Sequence, residues 1–308
     1  PQRMSIVISG DFKEEEMIPL LNATFDGKNS PLENKVKKET PEFGPIPLPK
    51  EKLEVAVYQN DELSATTLTL QANRKTNIRP HNLETLKEYF AWSIMENIIN
   101  HRLDELKDQT NIKTAEFMRN LDFEILESAA FTISCDAKNI FGIAQEIEKF
   151  SRKIGNFGFS FQEIESGKKA LQGLLTIAGN NEDNATPAQT ADDIVDNLMQ
   201  GGRLNSPKQS LKNFSLIASY ITAEYCLQLW KDLWENGAYL FVSTPSKDIQ
   251  KDAVKQSFVD SKAKVLSLPK NSENLIFRDP FIKRKTVEII RQFKDNTLNV
   301  ECLMFDNN

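Results

Sequence analysis

The sequence predicts an α+β fold in which an antiparallel sheet packs against several helices. Apolar stretches of strand length come early in the chain, a series of helical segments follows, and one further strand-like stretch comes after the helices. No steady alternation of strand and helix occurs, which argues against a doubly wound parallel sheet. With 308 residues, 40% of them hydrophobic and 27% charged, the chain is long enough for about two globular domains.

The first segment predicts a strand followed by a helix. Met4 to Ser9 is rich in β-branched apolar residues and predicts a buried strand that Gly10-Asp11 closes. Glu14 to Glu16 then place negative charge on the first turn of a helix, where the helix dipole favours it. Pro19 predicts that this helix begins near Glu16 or is kinked. The polar, proline-rich stretch up to Lys52 predicts an extended linker and a domain boundary.

The next segments predict four strands and one long helix. Leu53 to Tyr58 and Leu63 to Leu70 predict a hairpin around the polar turn Gln59 to Glu62, with apolar and polar residues alternating from Thr67 to Leu70. Apolar residues cover most of the circumference of a helix from Leu83 to Leu106, which predicts burial between layers. Phe117 to Phe123 and Ala129 to Cys135 predict two more strands.

Helices dominate the following part of the chain. They are predicted over Asn139–Ile154, Phe161–Ala178, Thr190–Met199, Pro207–Ser219 and Ala223–Trp234. Ser160 to Glu163 has the pattern of a capping box, Ser206 precedes a proline, Thr222 can cap the next helix, and Asn236-Gly237 can end it. The remaining elements are a strand at Tyr239–Ser243, a helix at Ser246–Val259 and a hairpin of Glu288–Phe293 with Leu298–Phe305.

Composition excludes several classes of function. A net charge of −6 and 38 dispersed Lys and Arg residues argue against a nucleic-acid-binding protein. No apolar stretch approaches the roughly 18 residues of a membrane span. Cys135, Cys226 and Cys302 lie in apolar surroundings, which predicts buried free thiols. Because a strand pattern starts almost at Pro1, without an initiator Met, we expect this chain to be part of a larger protein.

The sequence contains no recognisable motif for catalysis or metal binding. His101 to Glu105 invites comparison with the zinc motif HxxEH, but it supplies one histidine where two are required. His81 precedes a long helix and is interpreted as a residue of its first turn. The sequence contains no GxSxG, GxxxxGK[ST] or GxGxxG motif. We therefore predict no catalytic, cofactor-binding or metal-binding residue in this chain, and a structural role for Ser160 and Glu163.

Several segments together resemble the insulinase/pitrilysin family of zinc metallopeptidases. Met4 to Phe12, with the helix after it, resembles the strand, Gly-Asp and helix that close a domain in this family. Ile147 to Lys168 is similar to the family's helix, Gly-Phe, Ser and Glu segment, and Asn100 to Leu106 resembles a helix that ends in an Arg-Leu pair. Asn296 to Phe305 is similar to the strands that open a following repeat.

The resemblance implies a chain centred on a second, non-catalytic repeat. Residues 1–27 would be the final strand and helix of a preceding repeat, 28–52 a proline-rich linker, 53–260 the complete α+β repeat, and 261–308 a linker with the first hairpin of a following repeat. Zinc and HxxEH would lie in the upstream repeat, so that this chain is inactive alone. Family members also use an Arg and a Tyr from a later repeat to engage substrate. In the corresponding region here, Leu106 to Thr114, Lys107 stands in the place of the Arg and no Tyr is present.

This resemblance implies a structural and substrate-chamber role in a peptide-cleaving enzyme. The partners would be other repeats of the same polypeptide or a partner peptidase subunit, together with peptide substrate, and a periplasmic or other extracytoplasmic compartment fits the family. Two alternatives remain open: a catalytically dead peptidase-like subunit that acts as an assembly or processing partner, and an unrelated α+β binding module. The presence of HxxEH upstream of Pro1 would distinguish the enzyme from the dead subunit.

Overall fold

The computed structural model describes residues 6–25, 48–76, 82–122, 126–199, 205–266, 289–295 and 300–305. The chain divides into two compact units, Pro1–Leu266 and Ser267–Asn308. In the first unit the elements are α1 (Glu14–Phe25), β1 (Leu53–Gln59), β2 (Thr66–Lys75), α2 (Leu83–Asp108), β3 (Ile112–Asp122), β4 (Leu126–Cys135), α3 (Ile140–Phe157), α4 (Phe161–Asn181), α5 (Pro187–Met199), α6 (Pro207–Ile217), α7 (Ala223–Trp234), β5 (Ala238–Thr244) and α8 (Lys251–Ser261). In the second unit, β6 (Ile289–Asp295) pairs antiparallel with β7 (Val300–Phe305), so the predicted hairpin is confirmed.

Five strands of the first unit form one sheet in the order β1-β5-β2-β4-β3. The β5–β2, β2–β4 and β4–β3 pairs are antiparallel, whereas β1 runs parallel to β5. The predicted α+β class is therefore confirmed, and the sheet is mixed by virtue of that one parallel pair. The predicted β1–β2 hairpin is wrong, because β5 lies between these two strands and pairs with both.

The core lies on one face of this sheet. Strand residues alternate between the two faces, and the inward positions of β2 and β4 include Leu68, Leu70, Phe131 and Ile133, which are fully buried. Helices α3 and α7 contact these two strands, and α2 contacts β3. As predicted, α2 buries residues around much of its circumference: Phe90, Ala91, Trp92, Ile94, Met95, Ile98, Ile99 and Leu103.

Local signals place most helix boundaries correctly. Ser160 and Asn82 each form a capping box, and the side chains of Ser206 and Thr222 accept hydrogen bonds from the backbone of the third residue beyond them. Helix α8 begins at Lys251, five residues later than predicted: Lys247 and Asp248 form a turn before it, and the backbone N–H of Ser246 donates to Thr244 Oγ1 (3.1 Å). No helix of the described residues is long and apolar enough to cross a membrane.

The predicted first strand differs from the structure. Ile6 to Ser9, the described part of that segment, belong to no strand, and Met4 and Ser5 lie outside the described residues. Helix α1 forms from Glu14, includes Pro19 and has no buried residue. Most of the predicted linker, residues 28–47, also lies outside the described residues, as does His81.

Side chains of α2 cover part of the outer edge of β3. The Asn100 side chain donates to the carbonyl oxygen of Phe117 (2.9 Å) and accepts from the N–H of the same residue (2.7 Å). One turn earlier on α2, the carboxylate of Glu96 accepts from the N–H of Arg119 (2.7 Å). Burial raises the pKa of Glu96, although the N–H and charge of Arg119 oppose that effect. These bonds occupy backbone groups that an added strand would need.

A glycine turn joins α7 to β5. Gly237 has a φ of +97°, a backbone conformation that residues with a Cβ rarely adopt. The next residue, Ala238, donates its N–H to the carbonyl oxygen of Lys52 (3.1 Å), which is the first bond between β5 and the start of β1. A Cβ at position 237 would lie 2.7 Å from that same carbonyl oxygen. The sequence-based interpretation of Gly237 as a helix terminator is therefore confirmed.

Candidate functional site

Two of the segments that carry the family resemblance meet in the structure. The guanidinium of Arg102, on α2, donates to both carboxylate oxygens of Glu163 at 2.8 Å. It also donates to the carbonyl oxygen of Gly158 (3.1 Å) and lies 5.2 Å from the ring centre of Phe159. We call Arg102, Gly158, Phe159, Ser160 and Glu163 the Arg102 cluster. It fixes the first turn of α4 against the last turns of α2.

The capping box of α4 saturates Glu163. Ser160 donates to the Glu163 carboxylate from its backbone N–H (2.7 Å) and from its hydroxyl (2.8 Å), and its hydroxyl oxygen accepts from the N–H of Glu163 (3.2 Å). Burial alone would raise the pKa of Glu163, but the Arg102 guanidinium and the Ser160 donors hold that pKa below its usual value. A carboxylate kept ionised by four donors is suited to fixing geometry rather than to accepting a proton from a substrate.

Replacing Ser160 by alanine tests this structural role. The variant loses one donor and one acceptor of the capping box, so we expect the free energy of unfolding to fall by about 0.5–2 kcal/mol. Urea denaturation of the 308-residue chain measures this loss, and Ser160→Asn, which keeps a capping oxygen, should recover most of it. If peptide turnover by the larger protein collapsed while stability stayed at the wild-type value, Ser160 would belong to the catalytic chamber instead.

An open cleft lies beside the Arg102 cluster. It has a volume of about 760 Å³ and is lined by α4, by the end of α6 and by the first residues of α7. Its buried floor is apolar, while Lys168 and Glu165 form a 2.7 Å ion pair at its rim and Phe161 is 75% exposed. No histidine or cysteine is among its lining residues: Phe159, Phe161, Ile164, Glu165, Lys168, Lys169, Gln172, Phe214, Ala218, Ser219, Ile221, Thr222, Ala223 and Glu224. The cleft can receive an apolar side chain.

The described histidine does not form part of a metal site. His101 lies on α2 with 71% of its side chain exposed, and its Nδ1 is 3.8 Å from a carboxylate oxygen of Glu105. Zinc sites need three or four nitrogen, sulfur or oxygen ligands converging on one point. Across the described ranges, no group of three or more His, Cys, Asp or Glu side chains has that arrangement.

Two of the three cysteines are buried thiols, as predicted. Burial raises the pKa of Cys135 to about 11 and that of Cys226 to about 12, so both stay protonated near neutral pH. A protonated thiol is a poor nucleophile and a poor metal ligand. Cys302 falls in β7.

A second buried polar cluster escaped the sequence-based search. Glu127 on β4 is fully buried and accepts from the guanidinium Nε of Arg74 and from that of Arg119, each at 2.8 Å. Glu88 lies 3.4 Å from Arg74 and 3.8 Å from Arg119, whose guanidinium is 5.3 Å from the ring centre of Trp92. We call these five residues the Glu127 network. The alternation of inward and outward residues along a strand could have indicated this cluster, because Arg74 and Glu127 occupy inward positions of their strands.

The comparisons with known proteins identify the family. The sequence model of the peptidase M16 inactive domain matches residues 1–171, which is more than half of the chain. No curated protein sequence matches this chain significantly. The chain belongs to the peptidase M16 inactive-domain family and is thus a non-catalytic portion of the insulinase-like peptidases. The resemblance found in the sequence is confirmed.

Solved structures share the fold at low sequence identity. The periplasmic protease PqqL from Escherichia coli has a TM-score of 0.71 and 15% identity, with 97% of this chain and 33% of PqqL covered. The first half of PqqL has a TM-score of 0.67 and 15% identity, with 84% and 56% covered. A predicted insulinase family protease from Yersinia pestis has a TM-score of 0.64 and 12% identity, with 82% and 54% covered. This chain therefore spans about half or less of each of these proteins.

Proposed function

We propose that residues 53–260 form a complete second, non-catalytic repeat of a larger zinc metallopeptidase. The observation that carries this proposal is the Arg102 cluster. There, Ser160 and Glu163 supply the hydroxyl and carboxylate that most resemble a catalytic pair. Glu163 joins α4 to Arg102 of α2, and Ser160 is engaged with Glu163 in capping α4. Within the larger protein this repeat would act as scaffold and as part of the wall of a chamber for peptides, and the cleft beside α4 would face substrate or a neighbouring repeat.

The first 27 residues would complete the preceding repeat. The strand pattern in their sequence, the Gly10-Asp11 pair and α1 follow one another in the same order as β5, turn and α8 within this chain. Helix α1 buries no residue, and Ile18, Leu20 and Phe25 are each more than half exposed. Such an apolar surface fits a helix that packs on another sheet. Residues 28–52 would then link the two repeats, and 261–308, with the β6–β7 hairpin, would lead into a following repeat.

Zinc would be held upstream of Pro1 by the family's HxxEH and a distal glutamate. The described residues of this chain do not provide the donor set that zinc requires, since His101 is exposed and stands alone. Peptide hydrolysis would then depend on the upstream repeat, with this chain as its structural partner. PqqL is a periplasmic protease, and we propose an extracytoplasmic compartment for this protein as well.

Parallel measurements on the 308-residue chain and on the larger protein test the proposal. We expect the 308-residue chain to retain no stoichiometric zinc after dialysis and to leave unstructured peptides intact. The larger protein should retain about one zinc per catalytic repeat and show chelator-sensitive cleavage. Zinc-dependent cleavage by the 308-residue chain would overturn the assignment. A larger protein without HxxEH and without turnover would instead establish the alternative, a catalytically dead subunit that assists assembly or processing.

A further inference from the structure

One Asn-Gly pair occurs in the 308-residue sequence, at Asn236-Gly237, in the turn between α7 and β5. The backbone nitrogen of the residue after an asparagine can attack the side-chain Cγ, and glycine has no side chain to hinder the approach. A succinimide ring then closes: the new N–Cγ bond forms, the Gly237 N–H proton passes to solvent, and the Asn236 amide leaves as ammonia. Water opens the ring at either carbonyl and yields aspartate or isoaspartate, so water is the only reactant that the chain needs.

The native structure engages the nitrogen that would have to attack. The N–H of Gly237 donates to the carbonyl oxygen of Trp234 at the end of α7 (3.2 Å). Gly237 is buried, and an added Cβ there would lie 2.7 Å from the carbonyl oxygen of Lys52. Asn236 itself is exposed, so it meets solvent although its neighbour is buried. Attack on its side chain therefore requires Gly237 to release a hydrogen bond and the turn to change conformation.

Two bonds to Lys52 fix this turn to the start of β1. The Nζ of Lys52 donates to the carbonyl oxygen of Glu235 (2.7 Å), and its carbonyl oxygen accepts from the N–H of Ala238 (3.1 Å). Leu53 and Ala238 are paired in the register of the two strands that start here, and they are 6% and 7% exposed. Opening the turn would thus break the first contacts between β5 and β1 and expose apolar surface. Such an opening costs free energy, so the reactive conformation is rare while the sheet is intact.

We propose that Asn236 is a site of spontaneous deamidation that the native fold suppresses and that unfolding releases. In the unfolded chain the Gly237 nitrogen has no fixed partner, and the conformational freedom of glycine allows the ring to close. Isoaspartate at position 236 would add one carbon to the main chain directly before Gly237, where the backbone of Lys52 leaves no space. The pairing of Leu53 with Ala238 could then not form in its native register. A chain that had stayed unfolded would carry a permanent modification that prevents this turn from being restored.

Comparing the native and the unfolded chain tests the site. The 308-residue chain is incubated at one pH and temperature in buffer and in guanidinium chloride above its unfolding midpoint, and peptide mapping by mass spectrometry measures conversion at Asn236. We expect conversion to be at least about tenfold faster in the unfolded sample. Asn213 is the internal control, because the side chain of Phe214 hinders attack by its nitrogen in both samples. Equal rates in the two states overturn the proposal, as does an unfolded chain in which Asn236 stays intact.

Refolding after incubation tests the structural consequence. The longer the wild-type chain is held unfolded, the smaller the fraction that should recover the native unfolding transition after dilution. Asn236→Gln, whose longer side chain forms the ring poorly, should refold fully after the same incubation. Asn236→Asp, measured without incubation, carries the new charge on an unaltered backbone and should retain wild-type stability. An equal loss in the wild type and Asn236→Gln overturns the proposed consequence, and so does an Asn236→Asp variant as unstable as the converted chain.

Discussion

Replacing Glu127 by alanine is expected to lower the free energy of unfolding by about 3–5 kcal/mol, because it leaves two largely buried guanidinium groups with only the more distant carboxylate of Glu88 as counter-charge. The side chain of Glu127 is fully buried, and those of Arg74 and Arg119 are 21% and 9% exposed. Water therefore reaches only a small part of either arginine side chain. Thermal or urea unfolding of the 308-residue chain measures the effect.

A carboxylate in an exposed ion pair provides the matched control. Asp104 accepts from Lys107 at 2.7 Å, a contact as short as those of Glu127, but both partners lie on the surface of α2. Asp104→Ala should leave the unfolding transition unchanged within error, because water replaces the lost partner. Equal effects of the two substitutions would show that burial does not determine the contribution of the Glu127 network.

The Glu127 network also predicts a dependence of stability on pH. Burial alone would raise the pKa of Glu127, but the charges and hydrogen bonds of Arg119 and Arg74 hold that pKa below its usual value. Its contribution is therefore present above the unfolded-state pKa of about 4.3 and is lost as the pH falls through the folded-state pKa. Glu127→Gln should accordingly differ most from wild type near neutral pH and least in strong acid. Glu96 has the opposite effect on stability. Burial raises its pKa, so its charged form costs stability at neutral pH, and protonation in acid removes that cost.

Replacing Gly237 by alanine is the other substitution with a large expected effect. The φ of +97° costs a residue with a side chain about 1–3 kcal/mol. In addition, the new Cβ would lie 2.7 Å from the carbonyl oxygen and 2.9 Å from the Cα of Lys52, which are backbone atoms at the start of β1. We expect the free energy of unfolding, measured by urea denaturation, to fall by at least the upper part of that range.

Gly142 offers the same substitution in an unstrained place. It lies within α3, and a Cβ there would meet no atom within 4 Å. Gly142→Ala should therefore raise the free energy of unfolding by about 0.5–1 kcal/mol, since alanine favours the helix interior. We therefore expect the free energy of unfolding to rise for Gly142→Ala and to fall for Gly237→Ala. A loss at Gly142 as large as at Gly237 would contradict the structure around both glycines.

Local patterns predicted the elements that depend on neighbouring residues. Ser160, Ser206 and Thr222 each cap the helix that was expected to follow, because capping involves side chains only three residues from the backbone groups they satisfy. The apolar circumference of α2 predicted its burial for a similar reason, since helical periodicity is visible within the segment itself.

Strand pairing was predicted less well because it depends on distant residues. Apolar alternation identified both β1 and β2 as strands, but nothing within those segments indicated that β5 would lie between them. The expected strand from Met4 to Ser9 has the right composition, and its described part, Ile6 to Ser9, is not in a strand. β-strand propensity describes a residue's fit to a sheet, so it needs neighbouring strands to take effect.

Only part of the candidate site was predicted, because some of its bonds also join distant residues. The capping roles of Ser160 and Glu163 follow from their spacing, whereas the bonds from Arg102 to Glu163 join residues 61 positions apart. Arg74 and Glu127 could have been found by extending the strand periodicity to charged residues at inward positions. Their pairing across 53 positions still required the register of β2 with β4.

The position of β5 has a consequence for biosynthesis. The hydroxyls of Thr66, on β2, and Thr244, on β5, are in contact at 2.7 Å although 178 residues separate them in the chain. At ribosomal rates of roughly 5–20 residues per second, β1 and β2 wait on the order of ten seconds or longer for the strand that joins them. During that interval β2 can pair with β4, but β1 has no neighbour within the sheet. The nascent chain thus presents β1 as a strand with two free edges, a target for chaperones and a starting point for aggregation until translation reaches β5.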